Sequence, residues 1–103
     1  MNYLLLLYTT ISNKDSAEKI ARKLINQKLA ACVSIKEIKS FYIWDNDIHN
    51  EDEYEITIKS KPEKLDELIK FLKIEIGYKT PQIIYKRFES EKEYYEWAEK
   101  SID

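Results

Sequence analysis

A chain of 103 residues, 44% apolar and 35% charged, has the length of one domain; it buries roughly 65% of its unfolded surface and folds without a disulfide framework or a structural metal. Seventeen basic against nineteen acidic residues leave a net charge of −2, which excludes the positive field that phosphate backbones require, so nucleic acid is not an expected partner. One glycine, Gly77, excludes the Gly-rich loops that cradle nucleotide phosphates, and one cysteine, Cys32, excludes an intrachain disulfide. Residues 1–103 are read as a single domain. The apolar run at 3–8 is too short for a membrane span or a signal-peptide core and has no basic residue before it. With the lone thiol, it points to a cytosolic chain with no membrane partner.

In chain order, Tyr3-Leu4-Leu5-Leu6-Leu7-Tyr8 lacks polar alternation, the pattern of a central strand covered on both faces. Asp15-Ser16-Ala17-Glu18 has capping-box spacing, and Ala17, Ile20, Ala21, Leu24, Ile25 and Leu29 follow at helical intervals, so an amphipathic helix is expected. Strand formers resume at Ala30, reach Trp44 and return after the turn cluster Asp45-Asn46-Asp47; residues 30–61 read as one long hairpin. Val33 and Ile35 share one face, and Ile38, Tyr42 and Trp44 share the other, which a bulge or bend near Lys36 to Lys39 would reconcile. On the return, Tyr54, Ile56 and Ile58 point inward between charged neighbours. Pro62 opens a second helix carrying Leu65, Leu68, Ile69, Leu72 and Ile76, with Gly77 as its stop. Thr80-Pro81 imposes extended backbone, so a fourth strand is expected over 82–88. Ser90 with Glu93 gives a second capping box for a terminal helix bearing Tyr94, Tyr95, Trp97, Ala98 and Ile102.

This order is the split βαβ arrangement of a ferredoxin-like α+β sandwich, βαββαβ, plus one C-terminal helix. Both crossover helices cover one sheet face, the first and third strands lie in the middle, and the second and fourth lie at the edges. The hairpin is too long for such a globule. The thirteen residues from Cys32 to Trp44 extend roughly 43 Å at about 3.3 Å each. A radius of gyration of about 13 Å gives a diameter of only roughly 35 Å. The excess carries Phe41, Tyr42, Ile43 and Trp44 on an uncharged edge, which closed rotational symmetry commonly pairs. Phe41, Tyr42, Trp44 and Glu53 are therefore read as contacts between copies of the chain.

Chemistry-bearing residues are sparse. Copper or zinc needs several Cys, His or Met donors, and one chain offers Cys32, His49 and Met1. Glu51, Asp52, Glu53 and Glu55 could hold a hard cation, but strand alternation sends Asp52 to the opposite face, and the run reads as a solvated surface. His49 has no sequence-visible Cys or Ser partner, so no triad can be assembled and the chain is not expected to be an enzyme. Cys32, between Ala31 and Val33, reads as a small buried residue.

Several phrases resemble the CutA family of divalent-cation-tolerance proteins: Ser16-Ala17-Glu18-Lys19-Ile20-Ala21, Lys28-Leu29-Ala30-Ala31-Cys32-Val33, Tyr42-Ile43-Trp44, Ile58-Lys59-Ser60 and Tyr78-Lys79-Thr80-Pro81-Gln82-Ile83. The resemblance implies a homotrimer of ferredoxin-like subunits, similar in architecture to the PII nitrogen-regulatory proteins, whose long hairpins pair with neighbours. It also implies a role in tolerance to copper and other divalent metals, with copper or another divalent cation as the ligand. The positions that carry copper ligands in the family pattern fall here on Tyr8, Thr9, Glu75 and Ile76, which supply no thiol or imidazole, so no metal ligands are assigned. By analogy with related trimers that place ligands between subunits, Cys32, Lys59, Tyr78, Lys79 and Pro81 form a candidate cleft for a small anionic ligand. The alternative function is a PII-like small-molecule sensor or trimeric scaffold, and the alternative for Tyr78 is packing of the helix-to-strand turn.

Overall fold

The structure, a computed structural model, describes residues 2–103. Its elements are β1 (Tyr3–Ile11), α1 (Lys14–Asn26), β2 (Cys32–Trp44), β3 (Asp47–Ser60), a 3₁₀ turn (Pro62–Lys64), α2 (Leu65–Ile76), β4 (Ile84–Glu89) and α3 (Lys92–Ile102). The four strands form one antiparallel sheet in the order β2-β3-β1-β4. This is the ferredoxin-like α+β sandwich with an additional C-terminal helix, with β1 and β3 central and β2 at an edge.

The apolar run of β1 is buried on both faces for a definite reason. Leu5, Leu7 and Ile11 face α1 and α2 and join Ala17, Ile20, Leu24, Leu68 and Leu72 in the main core. Leu4 points the other way and packs with Ala31, Ala98 and Ile102 under α3. Among the described residues, no helix is long and apolar enough to cross a membrane.

The helix ends differ in detail from the capping-box reading. Asn13, not Asp15, caps α1: its side-chain oxygen accepts from the Ser16 N–H at 2.9 Å. The helix stops at Asn26 instead of continuing to Leu29, because Lys28 turns left-handed at φ 57°. The Lys28 and Leu29 N–H groups then bond back to the Ile25 and Leu24 carbonyls, a Schellman turn that still buries Leu29. Glu91, not Ser90, caps α3 by accepting from Glu93 and Tyr94 N–H, each at 2.9 Å. Gly77 ends α2 in the left-handed region, as its position suggested. The fourth strand begins at Ile84 rather than residue 82, because the segment before it swings past the end of β1, where Tyr78 is tied to Ser12.

The hairpin closes on a two-residue turn at Asp45 (φ 51°) and Asn46 (φ 67°), the positive pair of a type I′ turn. Its register is unbroken from Cys32↔Lys59 to Trp44↔Asp47, so of the bulge or bend expected near Lys36 to Lys39 the bulge is excluded. The pleat stays regular, and what changes is the cover. Val33 and Ile35 pack against the main core, and beyond them the apolar residues Ile38, Tyr42 and Trp44 occupy the opposite face. β1 accompanies β3 only as far as Ile11↔Tyr54. Residues 38–44 and 47–53 therefore form a two-stranded overhang, roughly 23 Å long at about 3.3 Å per residue. It gives the molecule its 46 × 24 × 22 Å shape.

Candidate functional site

The overhang forms one wall of a cleft of about 580 Å³. Strand alternation decides which side chains enter it. Tyr42 and Trp44 of β2 share a sheet face with His49, Glu51 and Glu53 of β3, and all five line the cleft. Tyr42 and His49 are direct cross-strand partners whose rings stack at 5.6 Å and 12°. The neighbouring Glu51 carboxylate, followed by partial desolvation and the charge of Glu53, holds the Tyr42 hydroxyl above its ordinary pKa.

The facing wall comes from the end of β1 and the α2–β4 connection. Thr10 and Ser12 meet Tyr78, Lys79, Thr80 and Gln82 there. The Tyr78 hydroxyl accepts from the Ser12 N–H at 3.0 Å and donates to the Ser12 hydroxyl at 3.1 Å. Tyr78 thus ties the α2–β4 connection to the end of β1 and lines the cleft.

The residues read from sequence as one cleft are divided within a single chain. Tyr78 and Lys79 line it, and Pro81 lies in the same connection without lining it. Cys32 and Lys59 are cross-strand partners at the base of the hairpin, and the Lys59 ammonium sits 5.9 Å from the Tyr94 ring centre. Lys59 and Glu53 stand six positions apart along β3, roughly 20 Å of strand. The residues read as contacts also fall on two faces. Tyr42, Trp44 and Glu53 line the cleft, whereas Phe41 lies on the reverse face with Ile43 and Ile48, where they are 67%, 72% and 77% exposed. His49 and Glu51 were missed as site residues. Their parity with Glu53 was the available signal, but the three-residue turn cluster left the facing register one residue uncertain.

The positions where the family pattern places copper ligands do not converge. Tyr8 and Thr9 are neighbours on β1 and so face opposite sides of the sheet. Thr9 is fully buried, and its hydroxyl has no hydrogen-bond partner among the described residues. Glu75 is paired with Lys23 at 2.7 Å, and Ile76 is core. Among the described residues no three His, Cys, Asp or Glu side chains come together as metal ligands. The donor set of one chain does not fit a copper or zinc site.

Comparison with known proteins places these features. The family model of the CutA1 divalent ion tolerance protein matches residues 5–101. The divalent-cation tolerance protein CutA of Archaeoglobus fulgidus is 35% identical over 98 residues, covering 94% of this chain and 96% of its own. The solved structure of that organism's periplasmic divalent cation tolerance protein CutA superposes with a TM-score of 0.93 at 34% identity, covering 97% of this chain and 99% of that one. CutA from Synechococcus elongatus gives a TM-score of 0.95 at 33% identity, covering 100% and 93%. The cytosolic expectation is overturned: the Archaeoglobus protein is described as periplasmic, and a rice relative, 33% identical over 78% of this chain and 46% of its own, is chloroplastic. A single free cysteine and a short apolar run are compatible with those compartments too, so they did not select one. From β1 to α3, in sequence and in fold, the chain belongs to the CutA1 divalent ion tolerance family.

Proposed function

We propose that this chain acts as one subunit of a homotrimer that supports tolerance to divalent cations, copper among them, without catalysing a reaction. The observation that carries the reading is the overhang. A two-stranded ribbon is marginal in water by itself, yet this one exposes Phe41, Ile43 and Ile48 on one face and Trp44 on the other. Copies of the chain that cover the ribbon would bury that surface, with Phe41 on the outer face and Tyr42, Trp44 and Glu53 meeting the neighbour along the cleft rim. Because the donors among the described residues of one chain do not form a copper site, the role is assigned to the assembly and not to a resident metal.

Sedimentation of the purified protein tests this. The expected mass is three times the 12.4 kDa of one chain, and a well-folded monomer at micromolar concentration would refute it. A second reading, a PII-like small-molecule sensor, is favoured by the cleft of about 580 Å³ beside the hairpin, a volume in the range of ligand pockets.

A further inference from the structure

Two separate apolar clusters hold this fold, and β1 divides them: one face serves the main core with α1 and α2, whereas Leu4 on the other packs with Ala31, Ala98 and Ile102. Among the described residues, none of α3 belongs to the main core. The second cluster grips the helix lightly. Of the eleven residues of α3 only Ala98 and Ile102 are buried, and Tyr94 and Trp97 are exposed. Polar contacts fasten the helix at three points. At its start Glu91 accepts from the Glu93 and Tyr94 N–H groups. Along its length the Lys59 ammonium stands 5.9 Å from the Tyr94 ring centre, within cation–π range. At its far end the Asp103 carboxylate accepts from Lys61 Nζ, and the Asp103 main-chain carbonyl accepts from Lys28 Nζ at 3.1 Å.

Lys61 opens the connection from β3 to α2, and Lys28 lies in the turn between α1 and β2, so this last contact joins α3 to the body of the fold and not to its own neighbours in sequence. Asp103 keeps 61% of its side chain in water, and a pair so exposed adds little stability, which suits a contact that opens and closes. Segments with few buried apolar contacts are the ones that open below global unfolding. We infer that α3 is a strap that opens as a unit while the main core stays folded, with Lys61, Lys28 and Asp103 as its catch. The hinge is Ser90 and Glu91, and the Ser90 N–H, bonded to the Asn2 carbonyl at 2.8 Å, holds it to the start of β1. Opening bares the apolar strip of Leu4, Ala31 and Phe88. The strap belongs to one chain, so its opening and the subunit count are separable measurements.

Hydrogen exchange of the purified protein, followed through urea concentrations below its unfolding transition, tests the strap. Amides of residues 94–102 are expected to exchange as one group, about tenfold or more faster than those of α2 and with a shallower urea dependence. Ile56→Val, a trim inside the main core, is expected to speed exchange in α2 about fivefold and to leave α3 unaltered, because the main core is intact when the strap opens. Lys61→Met and Asp103→Ala are each expected to speed exchange in α3 about threefold, and the double variant no more than either alone, with sedimentation mass unchanged. Exchange of α3 and α2 at one rate and one urea dependence overturns the strap, as does an Ile56→Val variant in which both helices speed alike. Catch variants of intact mass that leave α3 unaltered, or whose effects add in the double variant, overturn Lys61 and Asp103 as its catch.

Discussion

Thr9 shows what a single buried group can cost. Its hydroxyl is sealed between β1 and the helix layer with no partner among the described residues, and an unsatisfied buried hydroxyl costs about 1–3 kcal/mol. Thr9→Val keeps the shape and removes the orphan, so it is expected to raise stability by about 1 kcal/mol, read as a higher urea midpoint at unchanged slope. A lower midpoint would mean that the hydroxyl has a partner. Asn46 carries a different cost, in its backbone. It sits left-handed at φ 67° in the hairpin turn, where glycine bears no steric penalty, so Asn46→Gly is expected to raise the melting temperature through a gain of about 0.5 kcal/mol. At this scale the sequence was only partly legible. The residue types of the caps were visible, but Asn13 and Asp15 are comparable N-caps, and only the backbone path into α1 decides between them.

Among the elements, α3 depends most on one carboxylate. Glu91 accepts two N–H groups at the helix start, and those two bonds hold its pKa below the ordinary 4.5. Because the folded value is depressed, the stabilisation is fully present above the unfolded pKa and is lost as pH falls through the folded one. Acidification from about pH 6 to about pH 3 should therefore loosen α3. The signal is weaker hydrogen-exchange protection at Tyr94 and Tyr95, and Glu91→Gln should reduce that pH dependence. The helices and the strand order were legible because their apolar periods are long and uninterrupted, as in Leu65 to Ile76. The face change along β2 was misread as a bulge, since a sequence shows which side chains are apolar and not which layer covers them at each point.

For the molecule as a whole, the decisive quantity is length. A strand of thirteen residues exceeded the diameter of its own domain, and the 46 Å long axis agrees with that reasoning. The cleft was only half legible, because residues as distant as Ser12 and Tyr78 meet there through a tertiary hydrogen bond that no local pattern announces. If the ribbon is completed by sister chains, Trp44→Ala should lower the assembled mass or destabilise the protein by about 2 kcal/mol or more. Unchanged mass and melting temperature would remove Trp44 from the contact.

The overhang has one mechanical consequence. It is a cantilever rooted where β1 stops at Ile11↔Tyr54, so a change of only about 5° in sheet twist at the root would displace the tip by roughly 2 Å. A conservative trim of the root such as Ile11→Val should therefore misalign a tip it never touches, and, if sister chains complete the ribbon, a lever of this kind would let the interior of one subunit set how firmly it grips the next.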